Sequence, residues 1–341
     1  MPTVAFLSFR FGSTDGVSVV ARSWMAAFES FGFDVVTVAG AGDADRLLRG
    51  LSIDAPVPPS TDALEAALAD ADLVVVENLC TIPLNVGAAL VTAEVLAGRP
   101  AIMHHHDPPW HRARYAHVTE LPIDDPAWRH VTINEITAAE MAEHGFASTV
   151  IHNAFDRPGT GDRRGQRRAL GVDDDEVLVV HPVRAIERKN LPAAISLAEQ
   201  LGATYWLLGP AEEGYDDELA ALLARARCRV IHQPGEDRDA IYAASDLVAF
   251  PSTWEGFGNP PIEAALRRRP VVVGRYPFAK ELRRMGFAFF DPDDADGVAA
   301  FLERPDARLL DHTEQLATDD FSVVRMRGAL RVLLDEAGWS A

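Results

Sequence analysis

Residues 247–264 read LVAFPSTWEGFGNPPIEA: a strand-like apolar run, a loop with two glycines, then a proline-led helix start. In open parallel sheets ligands lie beyond the carboxyl ends of strands, and a helix N-terminus offers N–H groups and partial positive charge to an anion. Pro260 and Pro261 have no N–H, so donors must come from Gly256, Phe257 and Gly258, two of which lack a Cβ that would block close approach. The pattern suits a phosphate. Glu255 precedes the loop and Glu263 lies about one turn into the helix, so the two carboxylates should do different jobs. Taken alone, Glu263 reads equally as a first-turn acid stabilising its helix by about 0.3 to 1 kcal/mol.

A second constellation is VLVVHPVRAIERKN at 177–190, where Arg184 and Lys189 follow a strand and precede a helix. Charge-assisted hydrogen bonds contribute about 1.5 to 3 kcal/mol each. Two of them, with the loop amides, would hold a diphosphate and offset the charge that builds on it as a bond to it breaks. Arg188 reads as a solvated neighbour. In the first half, RFGSTDGVS at 10–18 makes a glycine loop after the first strand, with Gly12 and Gly16, of the kind that often faces a cleft. The spacing is not G-x-G-x-x-G, which sets a dinucleotide-dependent dehydrogenase aside. MHHHDPPWHR at 103–112 gathers His104, His105, His106, Asp107 and His111, and zinc is the tempting reading. Strand alternation separates His105 from its neighbours and neutral histidine also serves as a polar contact, so no metal is expected. The D-x-D triplet at 43–45 is a chance product of an acidic chain.

The elements that must position these residues alternate along the chain. Strand-like runs at 4–7, 35–38, 73–76, 101–103, 131–133 and 149–151 are separated by helical stretches, among them 17–31, 84–97 and 137–144. A second series of strands runs through 177–183, 205–208, 229–231, 247–250, 271–273 and 288–290. This is α/β rhythm and implies parallel sheets. A chain of 341 residues is too long for one ordinary core. We expect two Rossmann-like domains, 1–155 and 156–320, with a C-terminal helical segment 321–341 packing back across the junction. The Gly-, Pro- and Arg-rich run 156–171 reads as a linker, with Arg163, Arg164, Arg167 and Arg168 in solvent or at a helix start.

The formal net charge of −19 argues against nucleic acid as a partner. It does not argue against a nucleotide, because the Debye length of about 8 Å lets a few placed cations outweigh a diffuse acidic surface. Cys80 and Cys228 fit neither a metal spacing nor a disulfide framework, no leader is visible after Met1, and no apolar run approaches a bilayer span. A cytoplasmic protein is expected. The 17–31 helix carries Arg22 but no basic face, so stable membrane association is not expected.

E-G-F-G-x-x-x-x-E-A at 255–264 with R-x-x-x-x-K at 184–189 resembles the retaining GT-B glycosyltransferases of family GT4, glycosyl transferases group 1. VIHNAFD at 150–156 is similar to that family's interdomain segment, with Ala154 where glycine is usual, and FFDPDDADGVAAFL at 289–302 to its terminal strand and helix. The resemblance implies two sheets facing across a cleft and transfer of a hexose from a UDP- or GDP-sugar to a small-molecule or glycoside acceptor, with retention and without metal or cofactor. It implies Arg184 and Lys189 on the diphosphate, Gly256, Phe257 and Gly258 as amide donors, Glu263 on the ribose, Glu255 on the sugar hydroxyls, His106 on the transferred sugar, the base against 233–236, and Gly12, Asp15 and Gly16 in a loop near the donor phosphate and the acceptor. The catalytic set would be Glu255, His106, Arg184 and Lys189. The rival readings are a nucleotide-sugar epimerase and a non-catalytic nucleotide-sugar sensor.

Overall fold

The computed structural model describes residues 1–12, 16–115 and 117–340. The chain forms two compact units, one of residues 1–154 with 323–341, the other of 155–322. The breaks thus fall at 154/155 and 322/323.

In the first unit seven strands are β1 (Thr3–Phe11), β2 (Asp34–Gly42), β3 (Arg46–Leu47), β4 (Leu73–Glu77), β5 (Ala101–His105), β6 (Trp128–Thr132) and β7 (Ser148–Val150). They pair in parallel in the order β3-β2-β1-β4-β5-β6-β7. Alternate side chains feed opposite faces. Ala5, Leu7, Val74 and Val76 join a core closed by Leu64 and Ala88 of the helices Thr61–Ala67 and Val86–Leu96. Val4, Phe6, Leu73 and Val75 join another closed by Trp24 and Phe28 of the helix Gly16–Ser30. Both faces are covered, which is why LVVVE is apolar without a polar alternation. The C-terminal helix Val323–Ala337 belongs to this unit, burying Met326, Leu330, Leu333 and Leu334 in the second core.

The second unit carries β8 (Leu178–His181), β9 (Thr204–Leu207), β10 (Val230–His232), β11 (Leu247–Phe250) and β12 (Val271–Val273). These are also parallel, ordered β10-β9-β8-β11-β12. In both sheets the strand order reverses beside the first strand, between β1 and β4 and between β8 and β11.

Three sequence expectations change. Residues 288–290 make a single bridge, Phe290 to Val272, rather than a strand. A helix not read from the sequence, Ala307–Phe321, precedes the C-terminal one, Val323–Ala337. The supposed linker contains a helix, Arg163–Leu170, capped by Asp162, whose carboxylate accepts from Gly165 N at 2.8 Å, and ended by Gly171 at φ 62°. Its arginines are not all solvated. Arg164 and Arg168 are exposed, but Arg167 is buried and Arg163 half-buried, four residues apart on one face and both bonded to Asp246. A half-buried acid at the foot of β11 supplies the reason.

Candidate active site

Chain reversal leaves a crevice at the carboxyl ends of β8 and β11, and both chemistry-bearing loops of the second unit start there. The loops are tied together: Thr253 N donates to Arg188 O at 2.9 Å, and Asn190 Nδ2 to Pro251 O at 3.3 Å. Lys189 Nζ donates to Glu255 Oε1 at 2.5 Å and Arg188 Nη1 to Glu255 Oε2 at 2.5 Å. Glu255 and Lys189 are buried, and the ammonium also lies 4.9 Å from the Phe250 ring centroid. Burial lowers the Lys189 pKa, Glu255 opposes that, and Arg188 and Arg184 add to it. Behind it, His181 is pushed down to about 3 by burial and by Lys189, and its Nδ1 shares a hydrogen bond of 2.8 Å with the Tyr205 hydroxyl.

Arg184 departs from the sequence picture of two free cations side by side. Its guanidinium is half-exposed and bound to Glu212 at 2.5 Å. Arg188, read from sequence as a solvated neighbour, is the second cation on Glu255. Lys189, Arg188 and Glu255 together leave one net positive charge, and Arg184 adds a second only on leaving Glu212. An exposed ion pair of that kind is worth about 0 to 1 kcal/mol, so its release costs little.

The loop after β11 is held from behind. Phe257 is buried, stacked on Phe278 at 4.3 Å between centroids and edge-on to Phe321 at 5.9 Å. Gly258 caps the helix Asn259–Leu266 at φ 87°, and a Cβ there would lie 2.7 Å from the Tyr276 hydroxyl and 2.9 Å from the Phe250 ring. The amides of Phe257 and Gly258 have no protein acceptor among the described residues. Glu263 is buried in that helix; it accepts from the Tyr242 hydroxyl at 2.6 Å and lies 3.1 Å from Arg238 Nη1. It is therefore more than a first-turn acid. In the 233–236 loop, Gln233 O accepts from Trp206 Nε1 at 3.0 Å.

In the first unit the strand order reverses between β1 and β4. Gly12, after β1, donates its N–H to Ser18 Oγ at 3.0 Å and its carbonyl accepts from Arg22 Nη1 at 2.7 Å. Gly16 is exposed at the start of the next helix, and Asp15 lies outside the described residues. β4 and β5 end on Glu77 and on the three histidines. Glu77 Oε2 is 2.9 Å from His106 Nε2 and 3.0 Å from His104 Nδ1. Asn78, at φ 60°, accepts from His106 N at 3.0 Å and Asp107 N at 3.1 Å. His105 points to the other face, as alternation requires: its Nδ1 meets Thr81 Oγ1 at 2.7 Å and its Nε2 meets His130 Nδ1 at 2.8 Å. His130 Nε2 in turn reaches Asp124 Oδ1 at 2.9 Å. The direction of this chain is forced. Asp124 accepts, so His130 and then His105 each carry a proton on Nε2, and Thr81 donates to His105. His111 is tied to Glu140 at 2.5 Å instead. The five polar residues that adjoin in sequence thus belong to separate groups.

Glu77, His104 and His106 offer three ligand atoms within 4.8 Å of one another, the one such group among the described residues. Glu77 Oε2 hydrogen-bonds to His106 Nε2, whereas His104 Nδ1 is as near but makes no hydrogen bond to it. Sequence reasoning missed Glu77, Asn78, Arg188, Tyr242 and Arg238. An acid closing an otherwise apolar strand was the available signal for Glu77; the others carry none.

The profile of "Glycosyl transferases group 1" matches residues 162–305. Mannosylglucosylglycerate synthase of Thermotoga maritima is 23% identical, over 90% of this chain and 88% of its own. D-inositol 3-phosphate glycosyltransferase of Mycobacterium sp. (strain KMS) is 32% identical over 48% of this chain and 41% of its own. Among solved structures, Anabaena HepE in complex with UDP and glucose superposes with TM-score 0.76 at 21% identity, covering 98% of this chain and 100% of that one. Sucrose-phosphate synthase of Thermosynechococcus elongatus does so with TM-score 0.78 at 14% identity, covering 100% of each. Residues 162–305 thus match the glycosyl transferases group 1, and the chain has the GT-B fold.

Proposed function

We propose that this glycosyltransferase moves a hexose from a UDP- or GDP-sugar to a hydroxyl of a small-molecule or glycoside acceptor, with retention and without a metal or other cofactor. The carrying observation is the knot of Lys189, Arg188 and Glu255 beside the unpartnered amides of Phe257 and Gly258, at the point where the second sheet reverses its strand order. Positive groups fixed where a diphosphate gains charge stabilise its departure without reorganising. Arg184 joins them on release from Glu212, Glu263 holds the ribose, and Glu255 and His106 contact the sugar. Retention follows from attack by the acceptor hydroxyl on the face the diphosphate leaves, with no enzymic nucleophile, since no carboxylate pair among the described residues is set for double displacement. UDP is the first candidate to try, because crystals of HepE, similar in fold, hold UDP and glucose. Gly12, Asp15 and Gly16 are assigned to the acceptor side.

Calorimetric titration with UDP, GDP, ADP and TDP tests the donor assignment. One of them should bind, and its sugar should transfer with the anomeric configuration of the donor kept, read by proton NMR in the presence of a chelator. Absence of binding to all four overturns the reading; an inverted product overturns retention alone.

A further inference from the structure

Glu77 ends a strand of valines with no solvent exposure. Burial pushes its carboxyl toward the protonated form, but His104 and His106 outweigh this and hold it below the usual carboxylate range. An ionised carboxylate only accepts, so the 2.9 Å contact with His106 is a bond donated by His106 Nε2–H. The proton on that nitrogen leaves Nδ1 as a lone pair. Nδ1 has no protein partner among the described residues, and it is absent from the sealed polar atoms that include both ring nitrogens of His104. The ring is clamped on its other side through its backbone, whose N–H donates to Asn78 Oδ1. His104 is locked in turn, stacked on Trp24 at 4.1 Å. Its Nδ1 lies 3.0 Å from the same Glu77 oxygen but off the line of a hydrogen bond, and Glu77 Oε1 has no partner.

A buried carboxylate satisfied this sparsely is a poor stabiliser, and an apolar residue would serve the core better. Its effect on His106 is the remaining explanation. We propose that Glu77 is a positioning residue, fixing the His106 imidazole in the Nε2–H tautomer with Nδ1 turned out as acceptor for a substrate hydroxyl. This rests on the reading of His106 as a sugar contact.

The full chain labelled with [15N]histidine gives the direct test, with His106 assigned through His106→Gln. The His106 signals should show a protonated Nε2 and a bare Nδ1. In Glu77→Gln, whose amide can donate to Nε2, the tautomer should invert. A bare Nε2 in the unaltered chain, or an unchanged tautomer in Glu77→Gln, overturns the proposal. Should Glu77→Gln fail to fold, the spectrum of the unaltered chain still decides. UDP-glucose supplies the functional arm, read as release of UDP. Glu77→Gln should lower kcat at least about tenfold, as wrong-tautomer variants of catalytic histidines do, while calorimetric binding of UDP to the second unit stays unchanged. Turnover lost in His106→Gln but intact in Glu77→Gln overturns the proposal. Turnover intact in both overturns the sugar-contact reading beneath it. A stoichiometric zinc ion in the purified chain overturns it too, since the three ligand atoms would then hold a cation instead of sharing a proton.

Discussion

Lys189 and Glu255 meet at 2.5 Å in surroundings that leave each side chain about a tenth exposed, whereas Arg184 and Glu212 meet at the same distance in open solvent. Equal distances carry unequal consequences. Lys189→Met removes a charge-assisted donor worth about 1.5 to 3 kcal/mol, so affinity for the preferred nucleoside diphosphate should fall roughly 10- to 100-fold by calorimetry. Arg184→Ala should move the denaturation midpoint by no more than about 0.5 kcal/mol, since an exposed pair contributes little. A loss of turnover at unchanged stability would then place Arg184 on the leaving group, and full turnover would remove it from the proposed mechanism. Residue types and spacing made Lys189, Glu255 and Glu263 legible in the sequence. Their partners were not legible. That Glu255 takes Arg188 rather than leaving two cations free depends on two loops 66 and 67 residues apart closing on each other. No local pattern records such a closure.

The helix Arg163–Leu170 shows the same limit for an element. A run of like charges ordinarily marks a solvated surface, yet Arg163 and Arg167 recur at the helical spacing of four and share one acid. Arg167 Nη1 donates to Ala244 O at 2.8 Å and Asp246 Oδ2 at 3.1 Å, and Nη2 to Asp173 O at 2.5 Å and to Glu176 O. Asp246 Oδ2 also accepts from Leu178 N at 2.8 Å, so the helix is pinned to the start of β8. Arg167→Ala should cost about 2 to 4 kcal/mol in urea unfolding, since four hydrogen bonds of about 0.5 to 1.5 kcal/mol each are lost while Arg163 still neutralises Asp246. Exposed Arg168→Ala should stay within about 0.5 kcal/mol. Glycine positions divide in the same way. Gly258→Ala forces a Cβ into Tyr276 and Phe250 at positive φ, so it should lower both Tm and nucleotide affinity. Gly16→Ala meets nothing within 4 Å and should leave Tm unchanged or raise it. The strand, glycine loop and helix order was readable because turn chemistry is local; the strand expected at 288–290 was not, because one bridge to β12 replaces the ladder.

Over the whole molecule, buried histidines set the response to acid. Burial lowers the pKa of His104, His105 and His130 in the first unit, although Glu77 opposes it at His104 and Asp124 at His130, and the second unit has His181 at about 3. A neutral histidine that charges only on unfolding makes the unfolded chain bind more protons below the unperturbed pKa of about 6.5. Stability is therefore complete above that value and falls as pH drops toward the folded pKa, by about 1.4 kcal/mol for each unit of separation. Glu77 has the same sign over a lower window, since a depressed carboxyl pKa stabilises above the unfolded value of 4.5 and fails as pH falls below it. Both windows weigh on the first unit, where three histidines and Glu77 stand against one such histidine in the second. Hydrogen exchange read by mass spectrometry between pH 7 and pH 4 should show amides of β4, β5 and β6 losing protection at higher pH than those of β8 and β11. The buried His105–His130 chain sharpens the expectation, because protonating His130 Nδ1 places a donor against His105 Nε2–H. His130→Gln should move the onset for the first unit to lower pH. If the second unit opened first, or both together above pH 6, the neutral buried histidines would not be what governs acid stability.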